Sequence, residues 1–208
     1  MTPLPRSFYE PSAALVAPRL LGHWLIRTLP EGPCGGPIVE TEAYLVDDPA
    51  SHGFGGERAR NKAIYGPPGY SYVYLIYGFH WCFNAVCCRP GVAEAVLIRA
   101  IEPRIGVEIM RKNRRTAMET SLTNGPGKLC QALAIDRQHY GLDLCDPSSP
   151  VFIAKSPNRP RFPRKSGPVA ISTRIGITKA AALPLRFYLP GSPFISRPAR
   201  AAAASSTG

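Results

Sequence analysis

No stretch of the chain approaches the ~18 consecutive apolar residues of a membrane-spanning helix, so a helix of that kind is excluded. The first residues, MTPLPRSFYEPS, carry neither the apolar core of a signal peptide nor the Arg/Ser pattern of a transit peptide. The expected location is the cytoplasm, associated with the nucleoid in a bacterium, or the nucleus in a eukaryote. None of the six cysteines forms a C-x2-C pair and only four histidines are present, which argues against a zinc site. Without a secretory signal the cysteines read as reduced core thiols. Asn124-Gly125-Pro126-Gly127-Lys128 is not a Walker A loop: the G-x4-G-K spacing fails and Leu129 stands where Ser or Thr is required. Nucleotide hydrolysis is disfavoured. Rossmann, G-x-S-x-G and H-E-x-x-H patterns are missing as well.

Acidic residues are missing after Asp146, while ten basic side chains fall there: Lys155, Arg159, Arg161, Arg164, Lys165, Arg174, Lys179, Arg186, Arg197 and Arg200. With a net charge of +11, this one-signed surface suggests a polyanionic partner, the alternative being an Arg-rich composition with a solvated tail. At 208 residues the chain suits one domain with a sizeable core. That domain is expected over residues 1–197, with 198–208 a disordered tail.

The stretch that is over-supplied is Gly69 to Asn84, GYSYVYLIYGFHWCFN, with aromatics at Tyr70, Tyr72, Tyr74, Tyr77, Phe79, Trp81 and Phe83. Up to Ile76 the tyrosines alternate with other residues in the period-two pattern of a strand; Tyr77-Gly78 interrupts, and β-prone residues resume. A hairpin with its tip near Tyr77 follows. Each buried phenol needs a hydrogen-bond partner, so these rings suit stacking on something planar better than they suit a core.

Around the hairpin, His23–Leu29, Ile38–Leu45 and Ala93–Ile101 read as strands, and Pro30–Pro37 as turns. Short strands are expected at 151–154, 169–173 and 185–189, and helices at 11–21 (bent or cut short by Pro18), 103–115 and 125–134. Asp47–Pro68 is a long loop and Pro157–Pro168 an exposed basic one. The fold class is α+β: a single domain with a mainly antiparallel, curved β-sheet core, flanking helices and a protruding β-hairpin.

Candidate chemistry begins at Glu42, a carboxylate among β-branched and aromatic residues, where desolvation would favour a general base. Glu40 reads as facing water. Arg99 ends an apolar strand, an odd place for a cation; it pairs with a carboxylate, Glu42 or Glu102 being the candidates, or it contacts phosphate. Tyr44, Tyr74 and Tyr77 suit base stacking, the alternative being core or surface aromatics. His52 lies in the loop after Leu45. Lys128 sits at a helix start that is either a phosphate seat or an ordinary Pro/Gly turn.

IVETEAY (38–44), YVYLIYG (72–78), LIRA (97–100), NGPGKLCQAL (124–133) and RIGITKA with LRFYLPGSPFIS (174–180, 185–196) resemble the mammalian-type 3-methyladenine (alkyladenine) DNA glycosylase family, and LLGHWL (20–25) fits too. The similarity runs in the family's order from about Phe8 to Ser196.

The resemblance implies a monofunctional enzyme that needs no cofactor. It would excise alkylated and deaminated purines (3-methyladenine, 7-methylguanine, hypoxanthine, ethenoadenine) from duplex DNA and leave an abasic site. In this likeness Glu42 corresponds to the base that activates the attacking water, and Arg99 to a residue that helps place it. Tyr44, His52 and Tyr74 correspond to the pocket that sandwiches the flipped base. Asn84 corresponds to the residue that obstructs guanine's amino group, and Tyr77 to the wedge. Arg60 and Lys128 are DNA-backbone candidates, and a monomer is expected. The loop 55–61 departs from the family's usual T-P-R-N by carrying Glu57, and Phe79 stands where Met is common. The reading from another class is a basic nucleic-acid-binding domain without activity; an intact Glu42 with Arg99 favours the enzyme.

Overall fold

The computed structural model describes residues 1–156 and 167–196. Most of the expected basic loop 157–168, and the tail from 198, lie outside these residues.

Among the described residues, eight antiparallel strands form one curved sheet: β1 (Trp24–Leu29), β2 (Gly32–Tyr44), β3 (Ser71–Ile76), β4 (His80–Cys87), β5 (Glu94–Ile101), β6 (Val151–Ala154), β7 (Ala170–Ser172) and β8 (Arg186–Tyr188). Their order is β3-β4-β5-β2-β1-β6, with β8 between β2 and β7. The long β2 is the spine. Its first half pairs with β1, while its second half lies between β5 and β8.

β2 starts six residues before the expected Ile38, because Gly35 and Gly36 are packing glycines rather than turn glycines. A Cβ would stand 2.1 Å from the carbonyl oxygen of Leu25 at Gly35, and 1.8 Å from that of Glu102 at Gly36. With no side chain, the backbone accepts close neighbours on both sides. One of those neighbours shortens a helix. Ile105 exchanges backbone hydrogen bonds with Gly35, so the chain stays extended past Pro103, and α2 spans Val107–Arg114 instead of starting at 103.

Helix α1 (Ala13–Leu20) buries Ala13, Val16, Ala17 and Leu20, a stripe at helical spacing. Its start is tied to β5: Glu94 accepts from the Ser12 hydroxyl and the Ala13 amide, both at 2.8 Å. Pro18, which removes one intrahelical donor, lies inside the helix two residues before its end. Helix α3 (Pro126–Ala132) buries Leu129 and Cys130, with Leu133 buried just beyond it. The core joins α1 and α3 to the inner faces of β2, β4 and β5; each fully buried Leu, Ile or Val contributes roughly 1.5–3 kcal/mol.

The hairpin forms as expected. β3 and β4 pair from Ser71↔Ala85 to Ile76↔His80, and the turn puts Tyr77 and Gly78 at φ 51° and 78°. Positive φ at both positions gives the turn the twist of its strands.

Candidate active site

The strand order brings together residues that are far apart in sequence. β2 supplies Glu40, Glu42 and Tyr44, β5 supplies Arg99, β3 and β4 supply Tyr72, Tyr74 and Asn84, and the loop after β2 supplies His52. Two irregularities in the β2–β5 pairing make this possible. Ile38 opposes Ile101 and Glu40 opposes Ala100, which leaves Val39 as an extra residue; Thr41 then opposes Ile98, which leaves Arg99 extra on the other strand. A bulge re-aims the side chain it frees. Here it turns Arg99 toward the carboxylates.

Glu42 is fully buried. Its Oε2 accepts from Arg99 Nη1 at 3.2 Å and from the Tyr44 hydroxyl at 3.0 Å; its Oε1 accepts from the backbone N–H of Ile175 at 2.8 Å. An ionised carboxylate offers about four acceptor sites. Three are filled by these donors, which leaves one acceptor site open. Burial works against the charge on Arg99, but Glu42 and Glu40 outweigh that effect and raise its pKa. Burial, together with the neighbouring Glu42, pushes Tyr44 far above an ordinary phenol, so its O–H stays a donor.

Of the two carboxylates expected as partners of Arg99, Glu42 pairs with it and Glu102, which meets Arg104, does not. The second partner of Arg99 is Glu40, at 3.1 Å. Glu40 itself, read as water-facing, is 0% exposed. The physical reason is compensation: Arg99 and Arg186 reach Glu40 from β5 and β8, and a buried carboxylate is tolerable once paired and hydrogen-bonded. Arg174 and Arg186, counted with the basic surface, are buried at 5% and 2% exposure.

Against Tyr44, whose hydroxyl meets Glu42, lies a small inner cavity of about 20 Å³, lined also by Ala50, Ser51, His52, Ile64, Tyr72, Tyr74, Asn84 and Ala95. That volume suits a water and is far too small for a purine. The walls are packed ring on ring: His52 sits 4.1 Å from Tyr74 between centroids, and His52 Nδ1 meets the Tyr72 hydroxyl at 2.9 Å. Asn84 Nδ2 donates to the Tyr72 carbonyl at 2.9 Å, which fixes its amide. Burial first, then Arg60, holds the His52 imidazole below its ordinary pKa, so at neutral pH this wall is uncharged.

Outside it, His52, Tyr72 and Tyr74 also border an open groove of about 340 Å³ whose rim includes Arg60, Trp81 and Arg137. Tyr77 stands beyond at the hairpin tip, 74% exposed. Lys128 lines neither cavity; its Nζ donates to Asn124 Oδ1 at 2.8 Å.

The family model for methylpurine-DNA glycosylase matches residues 7–193. The chain belongs to the methylpurine-DNA glycosylase family. A protein of Rhodopseudomonas palustris (strain HaA2) is 50% identical to it over 94% of this chain and 91% of its own length. One of Mesorhizobium japonicum is 47% identical over the same shares, and one of the archaeon Methanoculleus marisnigri is 46% identical over 93% and 98%. All three bear the name "Putative 3-methyladenine DNA glycosylase". As a methylpurine-DNA glycosylase the chain is an enzyme of DNA repair, and its substrate is DNA.

Sequence reasoning missed Glu40, Arg174, Asp48 and Tyr72. For Tyr72 and Glu40 the signal was parity, since each is two residues from a chosen residue on the same strand. For the Arg174–Asp48 pair no local pattern exists.

Proposed function

We propose that this glycosylase removes damaged purines by flipping the nucleotide and hydrolysing its N-glycosidic bond with water activated by Glu42. One observation carries the reading: a buried carboxylate with three protein donors and one open acceptor site, joined through Tyr44 to a pocket walled by uncharged aromatic rings. Tyr77 fills the space the flipped nucleotide leaves and offsets part of the unstacking cost. The purine enters between the walls formed by Tyr44 on one strand and by His52 and Tyr74 on the other elements, which must part to admit it. Asn84 meets a purine's 2-position and disfavours the amino group of guanine.

In the chemical step the C1′–N bond breaks and its electron pair leaves with the purine, while the sugar develops oxocarbenium character. The water oxygen bonds C1′ and its proton passes to Glu42; Arg99 holds the carboxylate and the water in place. The product is an abasic site. The donors around Glu42 are Arg99, Tyr44 and a backbone amide, none of them a lysine, in keeping with a monofunctional enzyme that leaves the sugar–phosphate chain intact. Purines methylated at N3 or N7 are already cationic and leave readily, and uncharged walls accept a cation without repulsion. Hypoxanthine and ethenoadenine are neutral and leave more slowly.

The test uses duplex DNA with a single hypoxanthine, ethenoadenine or 7-methylguanine, assayed for released base under single turnover. Wild type should release base from at least one of these, and Glu42→Gln should be slower by roughly 10²–10⁴-fold, the range for loss of a general base. Wild type releasing none would defeat the proposal.

A further inference from the structure

Two carboxylates two residues apart on β2 both reach Arg99, and only Glu42 has a part in the chemistry so far. Glu40 is the more completely enclosed in donors. Its Oε1 accepts from Arg186 Nε at 2.6 Å, from Ser196 Oγ at 2.7 Å and from Arg99 Nε at 3.1 Å; its Oε2 accepts from the Ser196 backbone N–H at 2.6 Å. A carboxylate offers about four acceptor sites; Oε1 takes three donors and Oε2 one, and two of the four come from arginines. The charge of Glu40 is thus committed to cations on β5 and β8.

We propose that Glu40 is a positioning residue for the glycosylase reaction: it anchors the Nε edge of Arg99 so that Nη1 reaches Glu42 without covering the acceptor site the water needs. The proposal rests on the roles of Glu42 and Arg99 proposed above. The guanidinium is a rigid planar fork, so fixing one edge fixes the other. Arg99 is held from three sides: Nε by Glu40, Nη1 by Glu42 at 3.2 Å, and Nη2 by the Ser196 hydroxyl at 3.2 Å. Without the anion at Glu40, the guanidinium is free to turn both nitrogens onto Glu42 and occupy the water's site. Ser196 bonds Glu40 and Arg99 alike, so the segment after β8 closes this clamp from outside the sheet.

A purely structural staple is a poor explanation of the same contacts. Well-packed apolar residues hold a buried site as firmly as an ion cluster does, or more so. What the cluster supplies is direction, and the direction is toward the reacting carboxylate.

The experiment is a kinetic double-mutant cycle on hypoxanthine-containing duplex, with single-turnover rate, lesion-DNA affinity and thermal unfolding measured on each variant. Glu40→Gln keeps the shape and removes the charge. It should slow the chemical step by about 10²-fold, the scale of an ångström-level misplacement, while affinity changes by less than about 2-fold. Placed on Arg99→Gln, it should cost less than about 2-fold more, because its effect runs through the arginine. Independent, multiplicative losses, or a Glu40→Gln rate within about 2-fold of wild type, would overturn the proposal.

Should Glu40→Gln not fold, Ser196→Ala answers the same question without changing charge. It removes the hydroxyl's bonds to both Glu40 and Arg99 and should slow chemistry by roughly 10-fold or more at unchanged affinity, the scale of losing hydrogen bonds to charged groups; an unchanged rate would sink the idea. Glu42→Gln run alongside separates the two claims: if it matches wild type, the reading of Glu42 fails, whatever Glu40 does.

Discussion

Arg174 lies over the ring of Tyr44, with 4.6 Å from the guanidinium carbon to the ring centroid, while the same guanidinium grips Asp48 with both terminal nitrogens. One pocket wall is thus backed by a cation, and the cation is held by a carboxylate in the loop that leaves β2. Arg174 Nη1 also donates to the Ala43 carbonyl at 3.1 Å, so the wall and its backing move together.

Breaking this unit should cost stability and pocket order at once. Removing one partner of a buried ion pair typically costs about 3–5 kcal/mol, because the other charge is left uncompensated. Asp48→Asn should therefore lower the unfolding free energy by about that amount. Arg174→Lys keeps a charge but loses the flat contact and the two-nitrogen grip; it should cost less stability and still cut excision several-fold. Denaturant unfolding and single-turnover assays on both variants check the order. A stability loss with normal excision in Arg174→Lys would show that the backing is only structural.

Tyr77 carries a different kind of cost. Its φ of 51° is left-handed, a region that suits Gly or Asn and burdens other residues by about 1 kcal/mol. At 74% exposure its ring gains little from packing within the protein. Under the proposed wedge role, the ring is kept for what it would touch in the complex. Tyr77→Gly is expected to raise stability by roughly 0.5–1 kcal/mol, as relief of left-handed strain does, while weakening lesion-duplex binding and slowing excision. A melting temperature that falls, or binding that holds, contradicts the wedge.

How far the sequence shows this site depends on the range of the force that builds each part. The hairpin from Ser71 to Cys87 was legible, tip included, because alternation and a Tyr-Gly turn are local signals. The grouping of Glu42, Tyr44 and Arg99 was legible through the family's motifs. Alternation puts Glu40 on the same face as Glu42, but what makes its burial tolerable, Arg99 and Arg186, lies 59 and 146 residues away and leaves no local mark. Arg174 and Arg186 looked like surface cations for the same reason. Gly35 and Gly36 looked like turn residues, since the crowding that requires them comes from Leu25 and Glu102 on neighbouring segments.

His52 gives the pocket a pH dependence with a definite sign. Its folded-state pKa is held below the ordinary 6.5 by burial and then by Arg60. In the window just below 6.5 the unfolded chain binds a proton that the folded one does not, so stability should fall as pH drops through it. Buried His139 is shifted the same way, by burial and then by Arg27, so His52→Asn should flatten the profile without abolishing it. Melting temperatures from about pH 7.5 to about pH 5.5 test this. Protonating His52 also places a cation in the pocket wall. Excision of cationic 7-methylguanine should then decline more steeply with acid than excision of neutral hypoxanthine, and a constant ratio between the two would remove His52 from the pocket's electrostatics.

The groove outside the pocket should report its phosphate contacts through salt. Arg60 and Arg137 line the same rim, and Arg137 is steadied over the Tyr140 ring at 4.6 Å. Each arginine that neutralises a phosphate releases counterions, so removing one such arginine should make the slope of log affinity against log salt shallower by about 0.9. Arg60→Ala and Arg137→Ala should each flatten the slope by about that much. Both should weaken damaged and undamaged duplex equally, because phosphate contacts carry no information about the base. Lys128→Ala makes the contrast: its ammonium is engaged by Asn124, away from the groove, and its slope should stay at the wild-type value. Titrations between about 50 and about 300 mM salt with the four proteins decide whether the duplex backbone runs along the hairpin rim or across the face of α3. A flattened slope for Lys128→Ala with none for the two arginines would place it on α3.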